Sequence, residues 1–185
     1  GITLFRRNSF RSRKYLLIAY NLFYKSCESY YFGCTCSDLG GFYYRLHKKS
    51  ISNKQEKFIG INPRLSIIVK KIIDLSNNLL SIFYYIKAIT IHIIHNYSWD
   101  IERFFYNLGC SCLESLIFYH FSYFFFNWTV KRLKNEKNIR FYALSYYGLG
   151  RYYYGVSDYV EAENNLTIAE AIYQEYFSQS SSYRE

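Results

Sequence analysis

Between Tyr146 and Ala169 the chain sets aromatic, small and apolar residues at helical intervals: Tyr146, Leu149, Gly150 and Tyr153, then Tyr159, Ala162, Leu166 and Ala169. Spacings of three and four return to one side of a 3.6-residue turn, so each group predicts a buried helix face. Gly150 carries no side chain and lets a second helix approach closely. Ala162 is the small residue that fits against Gly150 and Tyr153. Ser157 and Asp158 are N-cap residues for that second helix, with Glu161 three positions beyond Asp158. The segment therefore predicts a helical hairpin packed through small residues.

An echo of the pattern lies upstream. Tyr30-Tyr31-Phe32-Gly33-Cys34-Thr35-Cys36 resembles Tyr106-Asn107-Leu108-Gly109-Cys110-Ser111-Cys112, and Tyr147-Gly148-Leu149-Gly150 repeats its first half. The aligned glycines stand 76 and then 41 residues apart, about two units and one unit of a helical repeat, with a ragged period.

Composition qualifies every aromatic motif. Tyr and Phe number 23 and 16, while Met is absent and Pro occurs once. Tyr, Phe, Ile, Asn and Lys share AT-rich codons, so part of the aromatic excess reads as nucleotide bias of an organellar or similar genome. The lack of any Met predicts a processed form or a fragment. Net charge is +9, gathered at the front: residues 1–71 hold most of the Lys and Arg, whereas 141–185 hold only Arg151 and Arg184 against Asp158 and five glutamates. A basic front half favours a negative partner such as anionic lipid, nucleic acid or an acidic protein. Arg6, Arg7, Arg11, Arg13 and Lys14 run into Tyr15, Leu16, Leu17 and Ile18 with no acid before Glu28, which has the look of a targeting remnant or a basic amphipathic helix. No RNP-like signature accompanies the charge, so nucleic acid is the weaker partner reading.

Residues 1–65 read as a basic, aromatic-rich segment with a polar loop over 47–66. Residues 66–99 read as an apolar helical segment, 100–177 as helical hairpins with a charged linker over 131–140, and 178–185 as a flexible tail. Stretches 79–97 and 113–130 approach but do not reach the roughly 20 apolar residues of a membrane-spanning helix. They are expected as buried or interfacial helices, with a membrane hairpin as the rival.

Chemistry is not promoted by any motif. No phosphate loop, nucleophile elbow or His-Glu-x-x-His element occurs, so no catalytic, cofactor-binding or metal-binding residue is assigned. Cys34/Cys36 and Cys110/Cys112 supply four thiols. On helices, however, positions two apart point about 200° from each other and do not chelate together. Small buried packing residues are the expectation, with metal or disulfide use as alternatives. His92 and His95 share a helix face without a nearby carboxylate other than Asp100 and Glu102.

The spaced set from Tyr146 to Ala169 resembles one tetratricopeptide (TPR) helical hairpin. More narrowly, residues 100–173 resemble the plastid TPR family that assists photosystem I assembly. Ser157 stands where the family usually has Gly, and Glu175 stands near its Pro. The resemblance implies an all-α protein with TPR-type hairpins in the C-terminal half and an irregular or helical N-terminal part. It also implies a non-enzymatic, thylakoid-associated assembly chaperone whose partners are proteins, with Asn107, Arg151 and Tyr154 on the partner groove and peripheral membrane contact. The rivals are a small organellar membrane subunit with two apolar helices, and a degenerate open reading frame.

Overall fold

A computed structural model of the chain describes residues 9–26, 29–52, 63–97, 101–134 and 138–182. The described residues form seven α-helices and no strand: α1 (Ser9–Lys25), α2 (Ser29–Ser52), α3 (Pro63–Ile94), α4 (Ile101–Leu113), α5 (Phe121–Leu133), α6 (Ile139–Gly155) and α7 (Tyr159–Ser182). The all-α expectation holds. The chain divides into two compact units, residues 1–98 and 99–185.

In the first unit α2 packs along α3, and α1 packs on α2. Glycines set the α2–α3 spacing. A Cβ on Gly33 would lie 2.5 Å from the His92 ring, and one on Gly40 would lie 3.0 Å from the Tyr85 ring. The close approach lets Ser81 Oγ donate to the Gly40 carbonyl at 2.9 Å and His47 Nδ1–H donate to the Asp74 carbonyl at 3.0 Å. Leu39, Phe42 and Tyr43 form a small core that receives Leu16, Leu17 and Tyr20 of α1. Lys87 of α3 sits among the rings of Tyr20, Tyr24 and Phe32 and donates to the Tyr20 hydroxyl, a cation held over aromatic faces. The basic front segment is thus helical over 9–25 and 29–52, while residues 1–8 and most of the expected polar loop lie outside the described residues.

α3 begins on Pro63, which suits a first helical position because its missing N–H would be unpaired there. Both of its sides carry apolar residues. Ile68, Ile72, Leu75, Leu79, Phe83 and Ile86 recur at intervals of three and four and are exposed, as is Ile93, whereas Ile82, Tyr85, Ala88 and Ile89 are buried together with Asn78, Ser81 and His92. Among the described residues no helix is long and apolar enough to cross a membrane. The apolar stretch 113–130 is interrupted by a turn before α5 begins at Phe121.

The second unit is two consecutive hairpins, α4–α5 and α6–α7, with α6 packed against both α4 and α5. The hairpins share one register. In the second, Gly150 of α6 faces Ala162 and Leu166 of α7, with Leu149 and Ala169 buried; a Cβ on Gly150 would meet Leu166 Cγ at 2.7 Å and the Ala162 carbonyl oxygen at 3.2 Å. In the first, Leu108 and Gly109 of α4 face Ser122, Phe126 and Thr129 of α5, at the same i, i+4, i+7 spacing, and a Cβ on Gly109 would lie 2.7 Å from the Phe126 ring. Ser122 and Thr129 occupy core positions because their hydroxyls bond back to nearby backbone, Ser122 to the Tyr119 carbonyl in the turn before α5 at 2.6 Å and Thr129 to the Phe125 carbonyl of α5 at 2.9 Å. Phe105 stacks on Trp128 at 3.9 Å, and buried Glu102 accepts from Arg132 Nε at 3.3 Å, tying α4 to α5 at its open end.

Asp158 caps α7 as its spacing predicts, with the Glu161 N–H donating to its Oδ1 at 3.2 Å. The helix then continues to Ser182, through most of the stretch expected as a tail; residues 183–185 lie outside the described residues. Between α6 and α7 the chain turns through Ser157 at φ 64°, with Ser157 N–H donating to the Tyr154 carbonyl and Asp158 N–H to that of Tyr153. This left-handed position favours glycine, since a Cβ there crowds the neighbouring carbonyl. Ser157→Gly is therefore expected to stabilise the unit by about 1 kcal/mol, read as a higher urea midpoint; an unchanged or lower midpoint contradicts the strain.

Candidate partner-binding groove

Three residues one helical turn apart define the exposed side of α6: Tyr147, Arg151 and Tyr154, at i, i+4 and i+7. Tyr147 is 46% and Tyr154 66% exposed, so two phenol rings flank a guanidinium. The opposite wall comes from the end of α4 and the turn after it: Leu113, Glu114 and Tyr119. Together with Gly150 and Leu166 these residues line one open cleft.

Charge in the cleft is already paired. Arg151 Nη2 lies 2.7 Å from Glu114 Oε1, with the carboxylate the more buried of the two. The pair links the two hairpins and keeps its outer edge in solvent, so an incoming carboxylate or cation can exchange into it without burying a lone charge. Tyr119 is fixed as a wall: its hydroxyl donates to the Tyr152 carbonyl at 3.0 Å and its ring stacks on Tyr152 at 5.4 Å. Gly155 leaves the room that the Tyr119 hydroxyl fills. Burial, and then the neighbouring Tyr152, raise the Tyr119 phenol above its ordinary range, so it stays neutral at physiological pH. The cleft thus combines aromatic surface, one ion pair and neutral hydroxyls, which suits recognition of an apolar or aromatic side chain flanked by a polar group.

Of the residues named from sequence for this surface, Arg151 and Tyr154 line the cleft. Asn107 sits half-buried on α4 and is not among the lining residues. Tyr147, Leu113, Glu114 and Tyr119 were not anticipated. The turn-spaced position of Tyr147 before Arg151 was available as a signal, but Glu114 and Tyr119 meet it only through the inter-hairpin packing. Of the packing set, Leu149, Gly150, Ala162 and Ala169 are buried, Tyr146 and Tyr153 half-buried, and Leu166 covers Gly150 with its outer side exposed. Tyr159 instead lies 60% exposed, its ring 5.6 Å from that of Tyr154.

Both Cys-x-Cys pairs lie on helices, Cys34/Cys36 on α2 and Cys110/Cys112 on α4. Burial pushes the Cys36 and Cys112 thiols up to about 12; the Lys87 charge pulls against it at Cys36, and the neighbouring Cys110 adds to it at Cys112. The thiolate, the form that ligates metal and attacks electrophiles, is suppressed at both. His92 is buried and donates from Nδ1 to the Ala88 carbonyl at 3.0 Å, while His95 stands past the helix end beside Tyr97. Among the described residues no group of three or more His, Cys, Asp or Glu side chains is placed to hold a metal ion.

No known protein family, curated protein or solved structure matches the chain.

Proposed function

We propose that the unit formed by residues 99–185 is a protein-binding scaffold of TPR type, with the Tyr147–Arg151–Tyr154 side of α6 as its partner surface. The observation that carries the proposal is the repetition. Two successive hairpins repeat the same positions: Leu108, Gly109, Ser122, Phe126 and Thr129 are buried in one, and Leu149, Gly150, Ala162 and Ala169 in the other, where Leu166, the counterpart of Phe126, covers Gly150 with its outer side exposed. Repeated hairpins stack because one cannot bury its apolar face alone, and the stack leaves the outer sides of the first helices open for partners. The reading is of a binding protein, not an enzyme. The resemblance extends it to an assembly chaperone for photosystem I subunits at the plastid thylakoid membrane.

A photo-crosslinking residue at position 154 tests this reading. One discrete protein adduct is expected in extracts of the native compartment, diminished by Arg151→Ala, with none from the same residue at the exposed control position 164. Equal, diffuse labelling from both positions removes the groove from consideration.

Contact with a membrane surface is a second reading, favoured by the α3 stripe from Ile68 to Ile93 and by exposed Arg13 and Lys14 on α1. An exposed apolar helix face and basic side chains in one unit suit the interface of an anionic bilayer. Alkaline carbonate is expected to release the protein from isolated membranes; retention in the pellet favours the membrane-subunit rival instead.

A further inference from the structure

We infer that the outer face of the second hairpin, lined by Tyr147, Leu166, Ala169, Glu170 and Tyr173, docks an amphipathic, basic helix of a partner protein in the way that α6 docks on the first hairpin. The inference rests on the scaffold reading and adds an adjoining contact surface, which meets the groove at Tyr147 and Leu166, and the chemistry of its occupant.

The two hairpins supply the comparison. On the first, α6 packs along α5 and covers Tyr106 and Phe126, on the face that continues through Thr129 and Leu133. Phe141 of α6 lies 5.7 Å from the Tyr106 ring, and one face further along, Gly148 sits over Phe126 so closely that a Cβ would come within 2.6 Å of it. On that face Phe126 and Thr129 are 0% and Leu133 is 1% exposed. At the same register on the second hairpin stand Tyr147, Leu166, Ala169 and Tyr173. There Leu166 is 37% and Tyr147 46% exposed, and the residues line an open, largely apolar groove. The second hairpin therefore continues an interface that the first has already filled.

What fills the first face defines the occupant of the second. α6 presents an aromatic residue, Phe141, and a small residue seven positions later, Gly148, on one side of the helix. It contains Arg140 and Arg151 and no acid. The second face is more acidic than the first: Glu170 takes the place of Val130, and Glu163 lies one turn before Leu166 on the same helix. The occupant is accordingly a helix with an aromatic residue, a small residue seven positions on, and Lys or Arg at its flanks. A second copy of this chain meeting α7 to α7 would set these glutamates against their own images.

A fluorescently labelled synthetic peptide of residues 138–156 is the probe, titrated into the full chain. The expected result is saturable binding that weakens about tenfold or more with a G148L peptide, because the small residue lets the helix seat. Glu170→Lys, a surface change that leaves the fold intact, is expected to weaken binding of the unmodified peptide and flatten its salt dependence. Absence of saturable binding, equal affinity of the two peptides, or indifference to Glu170→Lys overturns the proposal. So does a concentration-dependent dimer in sedimentation that competes with the peptide, since a second copy then covers the face. Tyr147 and Leu166 line both surfaces, so the readouts use the residues that the two do not share: crosslinking from position 154, with Arg151→Ala, reports the groove, and Glu170→Lys reports this face.

Discussion

Replacing Phe126 with Ala is expected to lower the stability of the C-terminal unit by about 3–5 kcal/mol. The ring is fully buried on α5, and it lies between two helices that approach it with backbone alone, α4 at Gly109 and α6 at Gly148. Tyr106 closes a third side, 5.9 Å away between ring centroids. Truncation therefore leaves a cavity that no neighbouring side chain at the two glycines can refill, which places the cost at the upper end for an aromatic-to-alanine change. Because small domains hold only about 5–15 kcal/mol in all, the loss is a large share of what keeps the hairpins together. Phe124→Ala, two positions away and 58% exposed, is expected to change stability by about 0.5 kcal/mol or less. Both tryptophans, Trp99 and Trp128, belong to this unit, so tryptophan fluorescence in urea follows it selectively. Equal midpoints for the two variants would show that Phe126 is not the joint between the hairpins.

The second hairpin was legible in the sequence because its helices announce themselves through small residues at fixed spacing, Gly150 against Ala162, and through the capping pair Asp158 and Glu161. The first hairpin obeys the same packing but was hidden on its α5 side. Its small positions are Ser122 and Thr129, whose hydroxyls look polar in a one-dimensional reading and are satisfied only once the helix exists. The run around them, rich in Phe and Tyr, resembled an apolar segment more than a patterned one. The 41-residue interval from Gly109 to Gly150 is also longer than the roughly 34 residues of a TPR unit. Among the described residues, the turn over 114–120 between α4 and α5 takes up part of the surplus, and Gly109–Phe126 and Gly150–Leu166 keep the same packing.

The groove was legible only in part for a different reason. Arg151 and Tyr154 came from the resemblance, which puts the groove on the first helix of each unit, but Glu114 and Tyr119 reach the cleft through tertiary contact, and no local pattern marks them. α3 shows the converse. Its apolar content was plain, yet its direction was not: apolar residues lie on both sides, with Ile82, Tyr85, Ala88 and Ile89 buried and Ile72, Leu79, Phe83 and Ile86 exposed, while Asn78, Ser81 and His92 join the buried side, where Gly33 and Gly40 bring α2 close enough for the Ser81 hydroxyl to reach the Gly40 carbonyl and for rings to pack against bare backbone. Close approach at the two glycines, which no periodicity of α3 itself records, sets which side of α3 is inside.

Gly148→Ala is expected to reverse its effect depending on what stands at position 126. In the natural chain the added methyl would lie 2.6 Å from the Phe126 ring, and the ring cannot retreat because α4 backs it at Gly109. Overpacking is therefore expected to cost about 1–3 kcal/mol. With Phe126→Ala already present the obstruction is gone. The same methyl then partly fills the cavity and removes the conformational penalty of a glycine inside α6, a gain of about 1 kcal/mol. The cycle of four proteins should yield a coupling of about 2–3 kcal/mol, measured from urea midpoints followed by tryptophan fluorescence. Additive effects would mean that the glycine is read by something other than the ring, and the shared packing register of the two hairpins would lose its strongest physical support. A sign reversal would tie α4, α5 and α6 to one joint, the arrangement that a stacked pair of hairpins requires and that an accidental spacing of aromatic residues would not produce.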